Sequence, residues 1–533
     1  MKVSDFLLQT LEKNGITHIF GNPGTTEIPL VQACEKRKKL KYIVALSEVA
    51  AVPMADGYAR ATRSLGVVNL HVAPGLGNGM GNLYTARIAG TPLLVLIGGQ
   101  DRRFLHTNPI LWGPVERMAS TVCKAVFSLN TQHDAAANIM RALRMVLTPP
   151  FAPVGLICPP DLLEQEIDSL PSKVTAPLLS SLSVQDAMRY GRFLTKAKKP
   201  ALIATESVHW TNASAPLEAL ARKTGSLVYA APYTGILPLS AKSPHYAGYL
   251  PPSFKQISDR LAQHDALLFI GGRGLRTTLY SEAALSQKMA WLGDDGSIQP
   301  PNGEFELARI VNVRKSIENI IQSIKHFRKK QPAFERTVIA LPPTSKKYLH
   351  PSRAVHALLN RYKDAIWIDE SGLSTSDVRQ WIESESGDYI INGSGGIGWG
   401  LPASVGAAIG KRNRQIVAIV GDGSALYASE AMWTAGHHDA KLLLIVLSNR
   451  RYATLNEAAS RLANGPLKAF TIEPPVLNFS GLAALYGFQY KSVATENELD
   501  AFLKNSRGQS ALNTLLELKL PSQIKPVTAS RHF

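Results

Sequence analysis

The chain has little cysteine: Cys34, Cys123 and Cys158 are the three in 533 residues. Scattered in this way, they form neither a disulfide framework nor a zinc-ligand spacing, and a reducing, cytoplasmic setting is expected. Long hydrophobic runs are missing too. No apolar stretch approaches the roughly 20 residues that a bilayer crossing needs, so no membrane partner is expected. Nor is a secretory leader expected, because Met1-Lys2-Val3-Ser4-Asp5 runs into an amphipathic stretch bearing Glu12 and Lys13. Low-complexity tracts and short internal repeats are absent, which excludes solenoids. Acidic residues are in short supply, 41 Asp and Glu against 58 Lys and Arg, for a net charge of +17. Such a balance invites a nucleic-acid reading. The cations are dispersed, however, in short runs at 36–39, 196–199, 325–330, 346–347 and 411–414, without interleaved aromatics or a nucleic-acid motif. A solvated surface is expected, and no nucleic-acid partner.

What is there is a globular composition, 45% hydrophobic and 19% charged, in a chain long enough for about three domains. Short β-branched runs alternate with helical patterns, the signature of parallel α/β sheets. In residues 1–170, strands are expected at 16–20, 41–46, 67–71, 92–97 and 154–157, with Ser47 capping a helix over 48–62. The glycine-rich segment 73–82 reads as a loop. A Leu-, Ser- and Pro-rich linker covers 168–183. Residues 184–330 form a second unit, with strands at 200–204, 227–230, 266–270 and 309–313. A Lys- and Pro-rich linker over 327–350 leads to a third unit, 351–525, and after Pro521 the basic tail should fray.

The third unit is built around 416–455. An apolar run at 416–420 ends in Gly421-Asp422-Gly423-Ser424, a helical pattern follows over 425–438, and a second apolar run at 442–447 ends in Ser448-Asn449. This is a βαβ unit, with parallel strands and a right-handed crossover. Asp422 and Asn449 fall at the carboxyl ends of the two strands, the edge where open α/β sheets bind ligands. Neighbouring strands lie about 5 Å apart, so both side chains could reach one ion. Hard oxygen ligands of this kind suit Mg²⁺ or Ca²⁺ together with substrate phosphates.

These residues resemble the thiamine-diphosphate signature, a GDG followed two dozen residues later by Asn-Asn, here with Ser448 in the first Asn place. The likeness runs over nearly the whole chain. It is closest to the benzoylformate-decarboxylase branch of the thiamine-diphosphate decarboxylases and carboligases, carried by FGNPGTTEIP, Asn69-Leu70-His71, GGIG and GDGSALY. The resemblance implies three parallel-sheet α/β domains: pyrimidine-binding, central Rossmann-like, and diphosphate- and metal-binding. It implies that Asp422, Asn449 and the Arg451 carbonyl hold the metal, and that Gly423, Ser424 and Tyr452 lie at the cofactor. Gly75 and Asn78 would support the pyrimidine ring. Gly395 would accept from its amino group and Ile397 would prop the bent cofactor. Glu48 would contact N1′ of the ring and activate the cofactor. His71 matches a proton-transfer histidine, and Thr25 a position that binds the substrate carboxylate.

One departure stands out. A second histidine of that branch falls on Thr278, and Ile391 and Thr454 also differ from it. Arg102, Arg103 and His106 could either add positive charge at the site or lie on the surface. The implied activity is non-oxidative decarboxylation of a small 2-oxo acid to an aldehyde, with possible carboligation, in a homodimer at minimum and a homotetramer by expectation. An acetolactate-synthase-like carboligase or lyase is the alternative, with a catalytically weak cofactor-binding protein behind it.

Overall fold

The computed structural model describes residues 1–278, 284–298, 304–325, 339–463, 465–505 and 512–528. The linker expected at 327–350 lies outside the described residues as far as 338, as does most of the basic run 325–330. Eighteen strands among the described residues make three six-stranded sheets. The first holds β1 (His18–Asn22), β2 (Lys41–Val44), β3 (Gly66–Leu70), β4 (Leu93–Gly98), β5 (Ala125–Ser128) and β6 (Val154–Cys158), in the order 2-1-3-4-6-5. The second holds β7 (Pro200–Ala204), β8 (Leu227–Ala230), β9 (Tyr246–Tyr249), β10 (Ala266–Ile270), β11 (Lys288–Gly293) and β12 (Leu307–Ile310), in the order 12-11-10-7-8-9. The third holds β13 (Ile366–Glu370), β14 (Tyr389–Ile391), β15 (Ile416–Gly421), β16 (Leu443–Ser448), β17 (Gln489–Val493) and β18 (Thr514–Lys519), in the order 14-13-15-16-18-17. The first and third sheets thus share one strand order, and every paired strand is parallel to its neighbour. The apolar runs become central strands because helices cover both faces, leaving β3, β4, β15 and β16 almost wholly buried.

Four local expectations are corrected. The segment 73–82 is not a loop but the first turns of the helix Val72–Ile88. Packing overrides the poor helix propensity of glycine here. A Cβ on Gly75 would stand 2.6 Å from Glu48 Oε1, and one on Gly79 3.0 Å from Val52. The single helix expected at 425–438 is two, Asp422–Tyr427 and Ala431–His437. The break between them turns Glu430 toward Ser47, whose hydroxyl donates to its carboxylate. The strand expected at 309–313 is Leu307–Ile310, because Asn312 already caps the helix Val313–Ser323 by accepting from Lys315 N. The tail does not fray at Pro521 but stays anchored to Thr528. Lys525 pairs with Glu457 at 2.5 Å, Val527 N donates to Ser352 Oγ at 2.9 Å, and Thr528 bonds Asp377.

The first and third sheets are joined by a seam between the helices Glu48–Thr62 and Gly400–Gly410. Glycines allow the contact: a Cβ on Gly57 would run into the Ala403 carbonyl, and one on Gly406 into that of Met54. Beside the seam Arg60 is buried and fully answered. It pairs with Asp56, donates to the Ile391 carbonyl at 2.9 Å, and lies 4.8 Å from the Trp399 ring centroid. Trp399 Nε1 donates to the same Asp56 at 2.7 Å.

Candidate active site

The residues singled out in the sequence gather into two clusters. The first lies at the carboxyl ends of β1 and β3. Glu48 opens its helix behind Ser47, whose Oγ accepts from Ala50 N, and the carboxylate is 5% exposed. Its Oε2 accepts from Asn78 Nδ2 at 3.3 Å and its Oε1 from Asn22 Nδ2 at 3.4 Å. Gly75 passes directly over that carboxylate. His71 directly follows β3 and leads into Val72, a β-branched residue held at φ 39, in the left-handed region where such residues are strained. Its Nδ1 lies 2.7 Å from Oε2 of buried Glu27. A carboxylate can only accept, so Nδ1 carries the proton and Nε2 is left free. Glu27 itself accepts from Gly24 N at 2.8 Å and Thr26 Oγ1 at 2.6 Å. Thr25 is exposed on the short turn Thr25–Glu27, while its neighbour Thr26 makes the polar contacts.

The second cluster lines a cavity of about 830 Å³ at the carboxyl ends of β13, β15 and β16. β15 and β16 are adjacent, with Gly421 opposite Leu447, so Asp422 and Asn449 do leave neighbouring strands. Asp422 Oδ1 accepts from Gly423 N at 2.9 Å and Oδ2 from Arg450 N at 2.6 Å. Arg450 supplies that N–H from φ 64, a left-handed backbone of the kind that clusters at functional turns. Burial pushes the Asp422 carboxyl up to about 6 despite those donors. Asn449 Oδ1 accepts from Arg451 N at 3.1 Å, and the Arg451 carbonyl accepts from Ala453 N at 2.9 Å. Gly423, Ser424, Tyr452, Gly395 and Ile397 line the same cavity. A Cβ on Gly423 would stand 2.6 Å from the Tyr452 ring.

These residues fit a divalent cation with a diphosphate. One carboxylate, one amide oxygen and one carbonyl are hard donors that leave further positions for phosphate oxygens. The buried carboxylate, pushed up for want of a compensating charge, would be restored to its anion by a dication.

Two acids escaped the sequence reading. Glu27 stood inside the quoted FGNPGTTEIP motif, with nothing in the sequence to tie it to His71. Glu370 ends β13 on the cavity wall, where Oε1 accepts from Gly398 N at 2.8 Å and Oε2 from Gly400 N at 2.5 Å. Burial pushes its carboxyl up to about 7. An acid closing a strand at the ligand edge was a legible signal. Arg102 and Arg103 are engaged by Asp161 and Asp101, 2.7 and 2.5 Å away, and His106 is exposed. Thr278 donates its N–H to the Pro252 carbonyl at 2.9 Å, and Pro252 borders the cavity.

Parallel sheets of matching order, with a GDG strand end beside an Asn strand end, define an enzyme that holds a diphosphate cofactor. The chain belongs to the thiamine pyrophosphate enzymes. Residues 1–118 match the N-terminal TPP binding domain of that family, 189–296 its central domain and 370–516 its C-terminal TPP binding domain. Among its relatives is benzoylformate decarboxylase from Pseudomonas aeruginosa, 29% identical over 93% of this chain and 95% of that protein. Acetolactate synthase isozyme 1 large subunit from Escherichia coli is 24% identical over 93% of this chain and 90% of its own length. The solved structure of a thiamine diphosphate-dependent 4-hydroxybenzoylformate decarboxylase from Rhodococcus jostii RHA1 superposes with a TM-score of 0.87 at 27% identity, covering 98% of this chain and 99% of that one. Among the described residues no helix is long and apolar enough to cross a membrane.

Proposed function

We propose that the protein is a thiamine-diphosphate-dependent carboxy-lyase that releases CO₂ from a 2-oxo acid of the benzoylformate type, leaving an aldehyde. The observation that carries this reading is the convergence of Asp422 and Asn449, from adjacent parallel strands, on a cavity shared with Gly395 and Ile397. In it Asp422, Asn449 and the Arg451 carbonyl hold Mg²⁺, with Ca²⁺ as a substitute, and Gly423 and Ser424 offer the diphosphate the start of a helix. The cofactor, when bound, supplies an electron sink for the carbanion left by CO₂. Tyr452, Gly395 and Ile397 orient it. Glu48 holds a proton at N1′ of the pyrimidine, with Gly75 and Asn78 packed about that contact. Thr25 binds the substrate carboxylate. His71 Nε2, once it has taken up a proton from the medium, delivers it to the new C–H bond and then takes one from the product hydroxyl, while Glu27 holds the proton at Nδ1.

Thiamine enzymes need both clusters at one cofactor, yet the Asp422 cavity includes none of Glu48, His71, Thr25, Gly75 or Asn78. Exposed apolar side chains lie near each cluster: Leu105, Leu111 and Trp112 share a pocket with Val72, and Tyr427, Tyr452 and Leu455 line the Asp422 cavity. Both facts support a homodimer in which each site takes one cluster from each copy, with a homotetramer as the full assembly. Three buried, unpaired thiols support a cytoplasmic place, and 1–170, 184–330 and 351–525 serve as the domain limits. Thr278 in the place of a second histidine favours carboligation as a side activity, as in the acetolactate-synthase alternative. The test is a screen of 2-oxo acids, beginning with benzoylformate, for CO₂ and aldehyde in the presence of thiamine diphosphate and Mg²⁺. Turnover that survives EDTA and dialysis undiminished would contradict the metal site, and no CO₂ from any acid would contradict the activity.

A further inference from the structure

Arg379 sits on the helix Thr375–Trp381, about one turn into it, and its side chain lines the cavity that Asp422, Asn449 and Gly395 share. The guanidinium lies over the Tyr249 ring, 4.3 Å from its centroid, and Tyr389 braces Tyr249 edge-on at 6.0 Å. This stack fixes the plane of the guanidinium and leaves its donors at the cavity wall. Among the described residues Nε, shielded from solvent, has no hydrogen-bond partner, and neither does the nearby Tyr249 hydroxyl. Asp369 shares the wall but is already engaged. Its Oδ1 accepts from Ser371 N at 2.8 Å and Ser371 Oγ at 2.6 Å, and its Oδ2 from Tyr389 Oη at 2.6 Å.

Other arginines at or near the cavity are accounted for. Arg60 has its carboxylate, its carbonyl and its aromatic face. Arg276 donates to the Ile88 and Gly393 carbonyls. Arg451 also has an unanswered Nε, but it belongs to the Asn449 turn, where the cofactor's diphosphate lies in the proposed reading. Arg379 is different. The one carboxylate beside it, Asp369, acts on its charge without bonding it, since its oxygens are taken by Ser371 and Tyr389, and Tyr233 and Ile391 offer none. A largely shielded guanidinium with no carboxylate bonded to it gains from one that arrives at its cavity side.

We propose that Arg379 determines substrate specificity by binding a second carboxylate, carried at the end of the substrate remote from its 2-oxo acid group. The preferred substrate class is then a 2-oxo acid with a terminal carboxylate, on an aliphatic or an aromatic frame. The proposal rests on the decarboxylase reading above. The guanidinium fork presents parallel donors that match a carboxylate and would fix the far end of the substrate while the 2-oxo group meets the cofactor.

The experiment compares CO₂ release by the holoenzyme within two matched pairs: 2-oxoadipate against 2-oxohexanoate, and 4-carboxybenzoylformate against benzoylformate. In at least one pair kcat/KM should favour the terminal carboxylate by about 30-fold or more, the range expected when a shielded charge pair is made or lost. Arg379→Met should abolish that preference by raising KM for the carboxylated member, while its methyl- or phenyl-ended counterpart keeps the parental value. Arg379→Lys should retain part of the preference. Calorimetric binding of thiamine diphosphate verifies that the variants are folded. Should Arg379→Met fail to fold, the parent's ratios decide alone. Turnover without preference in either pair overturns the proposal but leaves the decarboxylase reading intact, as does an Arg379→Met variant that loses both members of a pair alike. No CO₂ from any of the four acids overturns both.

Discussion

His71 can give or take a proton at one defined atom because Glu27 occupies the other. Glu27→Gln puts an amide where Gly24 N and Thr26 Oγ1 already donate, so the ring loses its fixed tautomer and orientation. Aldehyde release should fall by about 100-fold, the lower end of what a positioned acid–base group contributes, while cofactor affinity stays at the parental value. Steady-state kinetics beside calorimetry separates the two, and an unchanged kcat would remove Glu27 from the proton path. Glu370 gives a pH dependence. Its folded-state pKa, about 7, is raised above the ordinary carboxylate value by burial, so the folded protein binds this proton more tightly than the unfolded chain. Stability of the cofactor-free protein should therefore be highest below the unfolded pKa and fall as pH rises through 7, by up to about 3 kcal/mol. Urea unfolding between pH 5 and pH 8 measures the slope. Glu370→Gln should flatten it, at a lower stability throughout, because the amide would turn an N–H toward Gly400 N. A flat profile in the parent would show that the carboxyl is not held neutral.

At the scale of elements, the central strands were legible because burial on both faces leaves uninterrupted apolar runs. The runs 200–204, 227–230 and 266–270 match β7, β8 and β10 to the residue. What the sequence hid was set by distant contacts. The glycines of 73–82 signal flexibility when read locally, yet they form a helix because Glu48 and Val52 leave no room for side chains. Glu27 and Arg379 acquire meaning only when β3 and β9 bring His71 and Tyr249 beside them. The Asp422–Asn449 pair was legible because a strand-end rule, not a tertiary contact, locates it. The seam permits a direct trial. Gly406→Val forces a side chain into the Met54 carbonyl and should destabilise the protein by about 3 kcal/mol, seen as a lower thermal midpoint and poor soluble yield. Gly436→Ala, whose added Cβ would meet nothing closer than 3.5 Å, is the control and should leave the midpoint within a degree or so. Equal midpoints for the two variants would mean that the helices can part without cost.

At the scale of the molecule, the proposal of sites completed by two copies makes a prediction that no single variant can test. Glu48→Gln and Asp422→Ala should each be inactive alone. Mixed subunits should recover activity, because one of the two sites in every heterodimer pairs an intact Glu48 with an intact Asp422. Random reassembly puts recovery at about a quarter of the parental rate, read after co-expression with two different affinity tags. No recovery from verified heterodimers would place both clusters of a site on one chain. The glycine seam has a bearing on ancestry as well. Gly57 and Gly406 face backbone that belongs to the other domain, so neither can drift alone, and the first and third domains form a single unit of inheritance. Recombination among relatives that exchanged only one of them would bring together helices with no shared history of close approach.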